Sequence, residues 1–169
     1  MPGLWQGKSM GNVFQDLMGM DGRINRQRWW MGVIVLAVIG IIFSWVLGLI
    51  FGTGLMMDMT RVTDAAYVNG FISRVGWIGV ITGVIFAYPY VALTVKRRHD
   101  RGNNGYDAIG LAVLQILVNL LNALGIGVGS LGNILGLIVG VAGIYILVVA
   151  GFLRGTPGPN EYGPDPLQG

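Results

Sequence analysis

The chain has 169 residues, 53% of them apolar and only 11% charged, whereas a soluble domain carries about 25% charged residues. It contains no cysteine, which excludes disulfides and thiolate metal sites. The net charge of +3 is too small to supply the basic surface that nucleic-acid binding requires.

Residues 1–28 contain no apolar h-region, so no cleavable signal peptide is expected and the first apolar run serves as an uncleaved anchor. Val13, Phe14, Leu17 and Met18 recur at helical spacing, which predicts a short amphipathic helix over residues 10–20, lying in the membrane interface. Asp21-Gly22 is a turn signal. Arg23, Arg26 and Arg28 then lead into Trp29-Trp30, placed as an interfacial aromatic belt would be.

A charge-free apolar run follows over about residues 29–51, with Gly40, Ser44, Gly48 and Gly52 four residues apart. Segment 52–76 is polar, but Val68, Phe71, Ile72 and Val75 keep a helical spacing that can extend the next run outward. The second run, about 77–95, has Gly79, Gly83 and Ala87 on one face. Its Pro89 cannot donate to the carbonyl of Ile85, so a kink is expected. The third and fourth runs cover about 108–128 and 131–153, joined by a minimal turn near Gly129. A bilayer-crossing helix needs about 20 apolar residues, so all four runs are predicted to span. The expected fold is all-α: a polar segment 1–28, a four-helix membrane domain 29–153 and a Pro/Gly-rich tail 154–169. The rows of small residues, including Gly132, Gly136 and Gly140, allow close helix approach, within the bundle or against a second copy.

Gln115, Asn119 and Asn122 form one stripe of the third run, and Asn133 opens the fourth nearby. Amides in hydrocarbon need partners, so the stripe is expected to face the bundle interior. There it makes interhelical bonds or lines a path for a small solute or lipid headgroup.

Charge sets the expected orientation. Nine of the 11 Lys and Arg fall in segments 1–28, 96–107 and 154–169, and only Arg61 and Arg74 lie between the first two runs. Cationic segments stay on the cytoplasmic side during insertion. Both termini and the 96–107 loop are therefore expected inside.

These inside segments carry the chain's densest polar motifs. The loop reads Lys96-Arg97-Arg98-His99-Asp100-Arg101-Gly102-Asn103-Asn104-Gly105-Tyr106-Asp107 and holds the single histidine. The tail runs from Gly155-Thr156-Pro157-Gly158-Pro159-Asn160 through Tyr162-Gly163-Pro164-Asp165-Pro166, a turn-rich segment incompatible with a helix. Near the N-terminus stands Gly22-Arg23-Ile24-Asn25-Arg26, followed by Trp29-Trp30. With these three signatures in order, the chain resembles the YhaH/YhaI-like bacterial inner-membrane proteins, the domain-of-unknown-function 805 family. The family's patterns are G-R-x-x-R-x-x-F-W, R-R-L-H-D-x-G-x-S-G-W and G-T-x-G-x-N-x-(F/Y)-G-x-D-P. Arg98, Asn104 and Tyr106 depart from the usual apolar residue, Ser and Trp. The resemblance implies a bacterial inner membrane and supplies no activity.

The three motifs are expected to meet as a polar cap on the bundle, with Arg23, Arg26, Arg97, Arg98, His99, Asp100, Asn160 and Asp165 as candidate cap or ligand residues. Asp100 and Asp107 are expected to pair with Arg23, Arg26 or Arg97, and Asp165 to anchor the tail on the same cluster. Such a cap is structural or holds an anionic lipid headgroup or phosphate. No catalytic residue, metal or cofactor is predicted. His99-Asp100 lacks the second His that a metal phosphohydrolase needs, and Ser9, Thr94 and Thr156 have no base beside them. The leading functional expectation is a small scaffold or accessory membrane subunit, with a membrane-protein partner or a homo-oligomer. An oligomeric translocator or channel for a small solute or lipid is the first alternative, and a lipid-headgroup enzyme using His99 and Asp100 the second.

Overall fold

The computed structural model describes residues 17–54 and 56–168. Among these the fold is all-α, with four helices long and apolar enough to cross a membrane. The interfacial helix expected over residues 10–20 falls, up to residue 16, outside the described residues. Residues 17–20 form a turn, with Leu17 buried and Met18 exposed.

Helix α1 (Arg26–Ile50) starts where the Asn25 side chain accepts the Arg28 N–H at 2.9 Å, an N-cap that supplies an acceptor to an orphan donor. It stops just before Gly52, whose φ of +67° breaks the helical path. A single 3-10 turn, Met59–Arg61, precedes α2 (Ala65–His99). Asp64 caps α2 by accepting the N–H groups of Ala66 and Tyr67. This cap sets the start of α2 well outside the apolar run at 77–95. At 35 residues α2 is about 52 Å long, far more than a hydrocarbon core of about 30 Å. Pro89 lies inside it, and the helix continues on both sides.

Helix α3 (Tyr106–Ala123) ends earlier than its apolar run. Gly125 at φ +74° turns the chain there, and the N–H groups of Ile126 and Gly127 close on the Leu121 carbonyl. Helix α4 (Ser130–Ile146) continues into a π-helical turn, Leu147–Phe152.

The small residues of α2 face α3. A Cβ on Gly76 would stand 2.8 Å from the Cα of Ala123, one on Gly79 2.6 Å from Asn119 Cγ, and one on Gly83 3.0 Å from Ile116. That row is an intramolecular packing face. In α1, Ser44 shares a hydrogen bond of 3.1 Å with Thr82 of α2, and Phe43 meets Phe86 edge-on. By contrast Gly40 of α1 and Gly136, Gly140 and Gly143 of α4 meet nothing within 4 Å.

Burial is concentrated at one end. Every residue from Val91 to Asp100 is buried, and Leu17, Ile24, Trp29, Leu93 and Ala150 pack into one cluster there. Only 6% of the most apolar stretch of α1 is buried, which leaves Ile34, Ile41 and Leu49 exposed as a surface suited to lipid rather than water. The helices are therefore pinned at the polar end and looser along the rest of the bundle.

Candidate functional site

The polar end is organised by Asp100, the C-cap of α2. One carboxylate oxygen accepts Arg23 Nε at 3.2 Å and Nη2 at 3.0 Å; the other accepts Arg97 Nη1. The side chains of Arg23, Arg97 and Asp100 are 1%, 0% and 5% exposed, so this triad is buried. Arg23 also donates to the carbonyls of Gly158 (2.7 Å), Gly163 (3.2 Å) and Thr156 (2.8 Å). A guanidinium has five N–H donors, and Arg23 commits its own to Asp100 and to the tail. Buried ions are tolerable only when so fully bonded.

The tail locks onto the same residue from the other side. Asp100 O accepts the Thr156 N–H at 2.8 Å and its hydroxyl at 3.1 Å. Gly155 passes so close that a Cβ there would collide with the carboxylate, 2.6 Å from Asp100 Cγ. Asn160 donates to His99 O (2.9 Å) and Thr156 Oγ1 (3.1 Å), and its oxygen accepts the Tyr162 N–H. His99 stacks on Tyr162 with ring centroids 3.9 Å apart. Its Nδ1 lies 3.1 Å from the Gly22 carbonyl, an acceptor only, so Nδ1 carries the proton of that bond.

Asp165 braces the tail through its backbone rather than through an arginine side chain. Its carboxylate accepts the N–H groups of Leu167 and Gly158, each at 2.9 Å. These bonds, Leu167 first, hold its pKa below the usual 3.8. Asp107 likewise differs from expectation. It pairs with Arg98, at 2.7 Å between Nη2 and Oδ2 and 3.1 Å between Nε and Oδ1, and both touch the Tyr145 hydroxyl. The geometry follows from α3 starting at Tyr106 directly beside the end of α2.

A second set of bonds has no counterpart in the sequence motifs. A helix C-terminus leaves carbonyls without intrahelical donors, and the π-helical end of α4 has its carbonyls covered by side chains. Arg101 donates to Val149 O, Arg97 to Ala150 O and Leu153 O, Trp30 to Gly151 O, and Arg26 to Phe152 O. Three cations at the negative end of a helix dipole are also favourable electrostatically. A Cβ on Gly151 would reach within 2.8 Å of the Trp30 ring, so only glycine admits that indole. Backbone acceptors leave no mark in a sequence, which is why Trp30, Arg101 and Thr156 were not among the expected site residues.

The amide stripe is not brought into the cap. Gln115 donates to Asn119 Oδ1 at 3.3 Å along α3. Asn119 packs on Gly79, and Asn122 on Gly127 in the α3–α4 turn. Two voids adjoin the helices. A cleft of about 800 Å³ at the polar end is lined by Arg26, Trp30, Arg154 and Thr156 among others. A groove of about 590 Å³ lies among all four helices, lined by Leu36, Phe86, Ala112 and Gly143 with Thr82, Tyr90 and Gln115 as its polar members. Among the described residues, no three His, Asp or Glu side chains converge as a metal site requires.

The family model described as "Protein of unknown function (DUF805)" matches residues 17–164. The chain is 26% identical over 154 residues to "Inner membrane protein YhaH" of Escherichia coli (strain K12) and to its namesake in Escherichia coli O157:H7, covering 91% of this chain and 92% of each relative. No solved structure matches. The matched residues contain the first two motifs and the third as far as Pro164, and the chain belongs to the DUF805 family of membrane proteins of unknown function.

Proposed function

We propose that this protein is a small scaffold or accessory subunit of a bacterial inner membrane, with its polar cap and both termini in the cytoplasm. The relatives named as inner-membrane proteins support the compartment. The orientation is supported by Arg23, Arg26, Lys96, Arg97, Arg98, Arg101 and Arg154 lying at one end, while Arg61 beyond the other end is opposed by Asp64 at 3.4 Å.

The observation that carries the scaffold reading is the internal use of the deepest cap groups. Both oxygens of Asp100, the donors of Arg23 and those of Arg97 bind this chain's own atoms. Such a cluster fixes three chain segments together and leaves no group poised over a substrate. His99 faces a carbonyl and a tyrosine ring, not a carboxylate that would orient it as a base. The groove among the helices is mainly apolar, which suits hydrocarbon better than a hydrophilic solute.

The test is extraction from the native membrane into lipid–polymer particles, followed by cross-linking and mass spectrometry. A stoichiometric second membrane protein, or a second copy, cross-linked to the outer faces of the bundle is expected. Particles holding one isolated chain at native abundance would overturn the scaffold reading. Loss of a transport activity in Asn119→Leu with normal insertion would favour the translocator instead.

A further inference from the structure

The arginines best placed to receive an anion are not those of the buried triad. Arg26 is exposed and uses one N–H, to Phe152 O at 2.9 Å, leaving the rest of its guanidinium available. Arg154 is exposed and has no hydrogen-bond or ion-pair partner among the described residues. Both line the polar cleft of about 800 Å³. Its two carboxylates are already held, Asp100 by Arg23 and Arg97 and Asp165 by backbone N–H groups. Counting Arg23, Arg26, Arg97 and Arg154 against Asp100 and Asp165, the net charge at the cleft is positive.

This cleft and the apolar groove share two walls. Asn25, Arg26 and Trp30 of the cleft continue along α1 into Val33, Leu36 and Gly40 of the groove. On the α4 side, Gly151 and Arg154 give way to Gly143 and Gly140, where a Cβ would meet nothing within 4 Å. From Arg26 to Gly40 the helix rises about 21 Å. The distance from headgroup level to bilayer midplane is about 20–22 Å, half of the full thickness. Trp30 sits at the junction, as an interfacial indole does.

We infer that the α1–α4 seam seats one anionic phospholipid, its phosphate in the cleft lined by Arg26 and Arg154 and an acyl chain in the groove toward Gly40 and Gly140. Charge favours this occupant over a second copy of the chain. A two-fold dimer in a membrane has its axis along the bilayer normal, so the same seam on each copy would bring two basic clefts face to face. A phosphate neutralises the cleft, and hydrocarbon matches the groove. The seat requires no scaffold partner, so it stands or falls separately from the proposed function.

The experiment uses the full chain in nanodiscs of equimolar phosphatidylglycerol and phosphatidylcholine with identical chains, released into native mass spectrometry. One retained phosphatidylglycerol per chain, in preference to phosphatidylcholine, is expected. Arg154→Gln removes no internal contact, and its selectivity should fall about fivefold, with Arg26→Gln/Arg154→Gln falling on the order of thirtyfold. Gly140→Leu, on an open helix face, should reduce retention of both lipids by filling the groove. Equal retention of the two lipids, or unchanged selectivity in a folded Arg154→Gln chain, overturns the seat. Displacement by millimolar inorganic phosphate would assign the cleft to a free anion and also overturn it. So would a dimer with no retained lipid.

Discussion

Asp100 is the residue on which the polar end depends. Asp100→Asn keeps the side-chain volume but removes the charge between two buried guanidinium groups. Breaking one partner of a buried pair costs about 3–5 kcal/mol, because the remaining ions lose compensation. The thermal midpoint in detergent should drop by many degrees, whereas Asp58→Asn, on an exposed turn, should leave it within the noise of the wild type. Gly155→Ala probes the same contact sterically. Its Cβ must displace the Asp100 carboxylate, at about 1–3 kcal/mol for a forced overpacking, so protease should cut the tail faster than in the wild type. Asp165 adds a pH dependence. Its pKa is lowered on folding by the N–H groups of Leu167 and Gly158, so the stabilisation is complete above the unfolded value near 3.8 and is lost as pH falls through the lower folded value. Hydrogen exchange at the Gly158 and Leu167 amides should accelerate as pH is lowered below that point beyond the intrinsic rate change, and this extra acceleration should vanish in Asp165→Asn.

The elements differ in what their small residues do, and the difference is measurable. Gly79 lies against Asn119, so Gly79→Leu should separate α2 from α3 and lower the melting midpoint. Gly136 meets nothing within 4 Å. Gly136→Ala should leave the fold intact and stabilise it by about 0.5–1 kcal/mol, through the reduced backbone entropy of the unfolded chain. Both glycines lie in four-residue rows, so spacing alone does not say which row is covered. The same limit explains other differences between sequence and structure. Charge-free runs locate the four helices because hydrocarbon excludes charge, and the outward extension of α2 was legible in the helical spacing of Val68, Phe71, Ile72 and Val75. Arg74 ends the charge-free run and is still compatible with a helix. The cap motifs were visible as segments of matching charge. The pairing of Asp100 with Arg23 and Arg97 was legible in that charge, whereas Asp107 finds Arg98 only because of where α3 begins. Asp165 reaches backbone N–H groups that every residue possesses, and the carbonyls covered by Arg97, Arg101, Arg26 and Trp30 are equally invisible in side-chain identities.

At the scale of the whole molecule, the fold joins a tightly bonded polar end to a loosely packed apolar body, and the side of the membrane on which that end lies governs what it can meet. The basic residues gathered around Asp100 argue for the cytoplasm. The opposite end has a different character: its 3-10 turn holds Arg61 beside Asp64, with Arg61 over the Tyr67 ring at 4.3 Å. There the two cations of the segment are offset by Asp58 and Asp64, which leaves little charge to oppose translocation. The chain has no cysteine, so single substitutions report topology without background. Thr60→Cys, on the exposed turn, should react with a membrane-impermeant maleimide in intact spheroplasts. Gln168→Cys, beyond the cap, should react only after permeabilisation. The reverse pattern would place the cap outside, away from cytoplasmic partners, and the charge argument for this bundle would fail. Labelling of both sites in intact cells would mean that the helices do not return the tail to the side that the four spans require.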